Sequence, residues 1–293
     1  MKTAYSLVAL LVILIGISCE KEIELNDELT KPKIVVNSFY SANDTLKVHL
    51  SESRSVLHND WDPLPNIENA TVTLFSNGTK IGTLSHESGG NYILTNPFPV
   101  SGQSYLLDVT HSTLDDVKTE STCPKAIEIM ALDTSRTQDR FSLKFTIEDD
   151  PNTNNYYSIE ILKTIITEYE TSPGVFKIDT ITQPSWICTN DINAETNSDP
   201  TGETCQEKLF FNDAGFNGSN YQFHISTDIY QSSQLIVIVK SINEELFKYR
   251  KSLQLYGETN GNPFGEPVQV YSNIENGIGI FSGYSEATKT IEF

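Results

Sequence analysis

Apolar side chains recur at every second position through most of this chain, the spacing of strands that bury one face. Ile34-Val35-Val36-Asn37-Ser38-Phe39 reads as a buried strand. Leu46, Val48 and Leu50 then alternate with Thr45, Lys47 and His49, and Ala70, Val72 and Leu74 alternate with Thr71 and Thr73. Asn77-Gly78 supplies a hairpin turn into Lys80-Ile81-Gly82-Thr83-Leu84, because its two residues tolerate the positive φ such a turn demands. With Asn91-Tyr92-Ile93-Leu94 and a run over 104–110, six or seven short strands fall within about 90 residues, which describes an immunoglobulin-like β-sandwich over residues 33–122. An irregular insert over 53–69 is longer than a hairpin loop. Its Trp61 is a candidate partner contact, or else a cap on the sandwich edge.

Cys123-Pro124 ends that pattern, since proline cannot donate to a central ladder, and a second alternation runs over 125–293. Strands are predicted at 141–147, 156–169, 176–182, 208–211, 221–225 and 235–239, with turns at 149–155 and at Ser172-Pro173-Gly174. One helix is predicted over 244–256. Asn243 caps it, Glu244 and Glu245 sit in its first turn, basic residues follow, and Gly257 stands at its exit. Leu246, Tyr249, Leu253 and Tyr256 share one face and are expected to pack on a sheet. The fold class is therefore mainly all-β: an N-terminal immunoglobulin-like β-sandwich followed by a larger antiparallel β domain with one short helix.

The N-terminus breaks the period. After Lys2, the apolar run over 7–17 leads to Ser18-Cys19. It is shorter than the ~20 residues a spanning helix needs, and fits the apolar part of a secretory signal. Residues 1–18 read as a lipoprotein signal peptide, with Cys19 as the lipidation site and first residue of the mature chain. Gly16 stands where an aliphatic residue is usual, so a plain signal peptide or an uncleaved anchor remain alternatives. Two or more acyl chains, palmitate among them, hold a soluble domain stably on a bilayer. Residues 19–32 are too polar to pack and form a tether. Within it, Glu20-Lys21-Glu22-Ile23-Glu24 either serves solvation alone or resembles the surface-export signal of Bacteroidetes lipoproteins. The second reading places the protein on the outer membrane, lipid-anchored and facing outward.

Charge and cysteine content narrow the partners. Lys and Arg number 20 against 39 Asp and Glu, a net charge of −19, which argues against nucleic acid and against direct docking on anionic headgroups. Beyond Cys19 the chain holds Cys123, Cys188 and Cys205, an odd number. Cys188 and Cys205 flank a polar loop and form a candidate disulfide in an oxidising compartment. Cys123 is then free, or is the true partner of one of them. No C-x-x-C spacing exists and the five histidines are scattered, so neither zinc nor any cofactor is expected. Counting from Asp150, the twelfth position is Ile161, which is not the calcium-loop pattern of an EF-hand; the acidic segments read as ordinary turns. The chain has no G-x-S-x-G, no H-E-x-x-H and no glycine-rich nucleotide fingerprint. No catalytic residue is expected.

Several segments share a pattern beyond periodicity: Pro32-Lys33-Ile34-Val35-Val36, Ala70-Thr71-Val72, Gly90-Asn91-Tyr92, Asn262-Pro263-Phe264-Gly265-Glu266-Pro267, and Asn273-Ile274-Glu275-Asn276-Gly277-Ile278-Gly279-Ile280-Phe281. Together they resemble a Bacteroidetes outer-membrane lipoprotein family known as domain of unknown function 4249, and the ending is its specific part. The resemblance implies a non-catalytic surface lipoprotein, an accessory or ligand-binding subunit beside a TonB-dependent outer-membrane β-barrel, with no ligand named. The glycines of the ending are expected to serve backbone geometry. Two other classes stay open. One is an adhesion or structural module of the envelope; the other is a glycan or peptide hydrolase, which needs a cleft with convergent carboxylates.

Lipidation has a direct readout. Metabolic labelling with a palmitate analogue should mark the natural chain and leave Cys19→Ala unmarked; equal labelling of both would put the acyl groups elsewhere.

Overall fold

The computed structural model describes residues 31–54, 63–137, 140–195, 203–230, 232–262 and 265–293. The signal segment, Cys19, nearly all of the tether, Trp61 and the Pro263-Phe264 pair lie outside the described residues. Residues 33–53 and 62–293 form one compact unit; a second unit, 1–32 with 54–61, falls almost wholly outside the description. Among the described residues, no helix is long and apolar enough to cross a membrane.

The first part of the compact unit contains β1 (Ile34–Ser41), β2 (Leu46–Glu52), β3 (Thr71–Ser76), β4 (Thr79–Thr83), β5 (Ser85–His86), β6 (Asn91–Leu94), β7 (Ser104–Thr110) and β8 (Val117–Thr122). Strands β1, β2, β6 and β5 lie in one sheet and β4, β3, β7 and β8 form another. Inward residues such as Val36, Leu50, Leu74 and Leu107 are fully buried and fill a shared core. Buried tyrosines need a partner for the phenol. Tyr40 donates to the Ser121 carbonyl at 3.0 Å, and Tyr92 donates to the Ile67 carbonyl while accepting from Ala70 N–H, each at 3.0 Å. Strand β8 carries no alternating apolar signal because its inward side is Val117, Thr119 and Ser121. Hydroxyls on that face are buried because they are hydrogen-bonded.

The second part contains β9 (Met130–Arg136), β10 (Phe141–Glu148), β11 (Tyr156–Ser172), β12 (Val175–Pro184), β13 (Ile187–Thr189), β14 (Thr204–Gln206), β15 (Lys208–Asn212), β16 (Asn220–Thr227), β17 (Ser232–Ile242), α1 (Glu244–Thr259) and β18 (Ile278–Glu292). A five-stranded sheet, β14-β13-β16-β10-β9, faces β11, β15 and β17 across a second core containing Phe145, Tyr157, Phe211 and Phe223. Phe211 and Phe223 meet edge to face with ring centroids 4.8 Å apart, a favoured aromatic geometry.

The last strand joins the two parts. Strand β18 runs parallel to β1 over 278–284 and antiparallel to β17 over 284–292, producing one nine-stranded sheet in the order β12-β11-β17-β18-β1-β2-β6-β5, with β15 also on β11. Its odd positions point to one face: Phe281 belongs to the first core, while Ala287 and Ile291 pack on the second. Tyr284, on the opposite face, meets α1. The sheet therefore backs both cores on one side and carries the helix on the other. The glycines of the ending do serve backbone approach. Gly279 has φ +112°, and a Cβ there would lie 2.0 Å from the Val36 carbonyl oxygen; at Gly277 it would lie 2.8 Å from the Ile34 carbonyl oxygen.

Helix α1 begins as expected, with the Asn243 side chain accepting from Leu246 N–H. It departs from expectation in two ways. It passes through Gly257 to Thr259, where Asn260 N–H bonds the Tyr256 carbonyl, so glycine acts as an ordinary helical residue. The buried residues are Leu246 and Phe247, while Leu253 and Tyr256 are exposed. Only the first turns rest on the sheet: Phe247 packs against Tyr156 with tilted rings 4.7 Å apart, and Tyr249 lies 6.1 Å from Phe39.

Gly279→Ala should cost more than about 3 kcal/mol, through strain at a special φ and collision with β1. Gly174→Ala, at φ +80° but with nothing within 4 Å, should cost only about 1–2 kcal/mol. Urea denaturation of both variants measures the difference, and equal costs would show that β1 and β18 are not in tight apposition.

Candidate functional site

Pro184 ends the ladder of β12, and Ser185-Trp186 carries the chain into β13. The backbone here is pinned from both sides. Ser185 N–H donates to the Ile161 carbonyl at 2.8 Å, the Ser185 and Thr227 hydroxyls lie 2.7 Å apart, and Thr227 donates to the Trp186 carbonyl at 2.9 Å. The indole itself is 62 % exposed. A large apolar side chain set in water on a hydrogen-bonded backbone is an unusual use of tryptophan. Two residues on, Cys188 stands opposite Cys205 in the β13–β14 ladder. Their Cα atoms are 4.0 Å apart and their sulfurs are bonded at 2.01 Å.

Trp186 and Cys205 border a groove of about 790 Å³ that also involves Glu160, Lys208, Phe210, Arg250 and Leu253. Glu160, Lys208 and Phe210 alternate with the core residues Ile159, Leu209 and Phe211, so they project from the helix-bearing face of the sheet. Arg250 and Leu253 come from α1, at the point where the helix no longer rests on the sheet.

Glu160 sets the electrostatics of the groove. Its carboxylate lies 2.7 Å from Lys208 Nζ and 2.7 Å from Lys240 Nζ. Burial pushes its pKa up, but the two ammonium groups outweigh burial and hold it below the ordinary value. Burial pulls Lys240 down, yet the same carboxylate holds it above its ordinary value; the ammonium also lies 4.9 Å from the Tyr284 ring. Glu160 is thus a fixed anion and not a proton shuttle. The Arg250 guanidinium rests over the Phe39 ring, 5.1 Å from its centroid, a cation–π contact that positions the residue at the border of the groove. The arrangement offers an open aromatic face beside apolar walls and several hydrogen-bond donors.

Other sequence-marked residues behave as structure. In the segment over 149–155, Asp149 accepts from Tyr157 OH at 2.5 Å and from Gly218 N–H at 2.7 Å. Asp150 accepts from Lys125 at 2.5 Å and from Asn152 N–H at 3.0 Å, and these donors hold it down to about 2. Asp191 accepts from Tyr221 OH and Asn193 N–H. Those carboxylates are engaged by protein donors in turn geometry. Cys188, Cys205 and Glu203 cluster closely enough to suit a metal, but the two sulfurs are in a disulfide and Glu203 pairs with Arg140. Cys123 is buried in the first core. Burial pushes its thiol up, the condition of an inert cysteine. Of the residues singled out from sequence, Cys188 and Cys205 are joined, with Cys205 at the groove, while Trp61 and Cys19 lie outside the described residues. Trp186 was not singled out; its signal was a tryptophan directly after Pro-Ser, in the break between two strands.

Fold and groove define a two-core β-sandwich protein with an open, aromatic-edged groove between the nine-stranded sheet and helix α1. The chain belongs to the family described as domain of unknown function (DUF4249), whose model matches residues 20–290. No curated protein matches it. Among solved structures it is similar to a protein from Bacteroides uniformis titled "putative carbohydrate binding protein", at 10% identity and TM-score 0.22, covering 88% of this chain and 99% of that one. It is also similar to a chitinase from Bacillus thuringiensis at 8% identity and TM-score 0.22, covering 70% of this chain and 28% of that one. TM-scores this low carry no argument about the chain.

The ion triad makes a pH-dependent prediction. Because the folded pKa of Glu160 is depressed, its contribution is full above the unfolded value near 4.3 and is lost as pH falls through the folded value. Glu160→Gln should therefore destabilise the protein at pH 7 by about 1–3 kcal/mol, with the gap closing in acid. Denaturation curves of both chains at neutral and acid pH test this; a gap independent of pH would assign the loss to packing.

Proposed function

We propose that this chain is a non-catalytic, lipid-anchored protein of the outer-membrane surface that binds an oligosaccharide in the Trp186 groove and serves as the ligand-binding subunit of a TonB-dependent transport system. The observation that carries the reading is the exposed Trp186 side chain, on a backbone pinned by hydrogen bonds, beside a groove furnished with donors. A pyranose ring presents a face of polarised C–H groups that can lie on the negative face of an indole, while its hydroxyls reach Arg250 and Gln254. Open grooves with a few oriented polar groups suit such ligands.

At the groove, despite its burial, Glu160 is held low by Lys208 and Lys240, the reverse of the upward tuning of a general acid, which favours a binding role there. The lipid anchor and the barrel partner rest on the Cys19 pattern and on what the family resemblance implies.

Two experiments test the proposal. A mild-detergent pull-down from native outer membranes with a C-terminal tag should recover a stoichiometric TonB-dependent barrel, and the Cys19→Ala chain should not; a partnerless natural chain would overturn the transport reading in favour of adhesion. On a glycan array, Trp186→Ala should weaken the signal at least about tenfold, the equivalent of 1.4 kcal/mol. Unchanged binding would remove the groove from the function.

A further inference from the structure

The hairpin of β11 and β12 extends beyond the rest of its sheet. Strand β17 pairs with β11 as far as Ile165, so among the described residues the sole ladder partner of β11 over 166–172 is β12. Strand β12 is itself the end of the sheet order, and all ten of its residues are exposed. One face of this ribbon holds Ile166, Phe176 and Ile178, exposed by 50 %, 60 % and 71 %, with Glu168 and Glu170 of β11 on the same face opposite Ile178 and Phe176. A long apolar edge is normally blunted by lysine, proline or a bulge. Here Lys177 is the only cation of β12, and Asp179 follows it on the same face.

We propose that the β12 edge is an interface for a second copy of this chain, paired antiparallel about a two-fold axis through Ile178. Charge selects both the edge and the register. When two copies of a strand pair about an axis normal to the sheet, opposed residues share a face, so the axis must pass through a residue position. An axis at Lys177 sets that lysine against its own copy, and an axis at Asp179 does the same to the aspartate. Centring on Ile178 places Lys177 of each copy opposite Asp179 of the other. It also sets Ile178 against Ile178 and Phe176 against Thr180, joining the apolar stripes of the two β12 strands. Parallel in-register pairing would stack like charges. The free edge of β11 would bring Glu168 and Glu170 together with no cation among residues 166–172. Of these two edges, that of β12 is the self-complementary one, and its pairing closes as a dimer.

The test uses the full-length chain, solubilised from membranes in detergent. Opposed Cβ atoms in such a ladder lie about 4.5–5.5 Å apart, close enough for a disulfide after slight adjustment. Under mild oxidation, Ile178→Cys should give a two-chain species on a non-reducing gel, and Thr180→Cys, which faces Phe176, should give little. Equal cross-linking in both variants, cross-linking in neither, or capture of a different protein would overturn the proposal. Charge swaps give an independent readout by sedimentation velocity. The natural chain should sediment as a dimer. Lys177→Asp and Asp179→Lys should each be monomeric alone and form a heterodimer when mixed, since one edge is then doubly acidic and the other doubly basic. A monomeric mixture, or single variants that dimerise like the natural chain, would refute it. Both substitutions sit on an exposed strand, and unchanged circular dichroism would show that the fold is kept.

Discussion

The parallel pairing of β18 with β1 closes the chain on itself, and the two cores take their common wall from it. A parallel ladder needs a long connection; here the connection is nearly the whole compact unit. Phe281 seals the first core, and six positions later Ala287 packs on the second. Removing β18 would expose one side of both cores and leave β1 and β17 with unpaired edges. The tolerance at this joint is small, since the backbone of Gly279 lies directly against Val36.

Polar side chains lock the joint where apolar packing cannot. The Asn243 amide oxygen accepts from Leu246 N–H and from the Ser282 hydroxyl at 2.6 Å, while its nitrogen donates to the Ser121 hydroxyl at 2.8 Å. Gly283 N–H donates to that same Ser121 oxygen. One residue thus starts the helix and fastens it to both β18 and β8. Asn273 acts likewise, pairing both ends of its amide with the backbone of Phe281 as another strand residue would. Such networks contribute most when every member is satisfied, because a lone buried polar group is costly.

A rigid sheet held this way can carry recognition surfaces at its margins. The groove forms where α1 lifts from the sheet, and its wall is set by a tryptophan whose backbone is bonded on both sides. The β11–β12 ribbon forms where β11 outruns β17. Both arise from mismatched element lengths: an element longer than its neighbour leaves side chains and backbone without a protein partner, and those are the groups available to a ligand or a second molecule.

Most strands of this protein were legible in the sequence, because period-two burial writes itself into alternating residues, as in Leu46, Val48 and Leu50. The cap at Asn243 and the start of α1 were legible for the same local reason. Strand β8 was not, because its inward hydroxyls are satisfied by Asn243, Asn273 and β18, residues more than a hundred positions away. The exit of α1 was misread at Gly257, since helix length depends on what the helix meets and not on one glycine. Trp186 illustrates the limit for the site: its sequence neighbours announce a break between strands, but its role in a groove depends on Phe210 and Leu253 arriving from elsewhere in the chain. By itself the sequence determined the β class, the helix start, the need for glycine in the ending and the family. Only the tertiary structure decided that one strand serves two cores and which aromatic residue stands at the groove, because those facts depend on contacts between distant segments that no local pattern encodes.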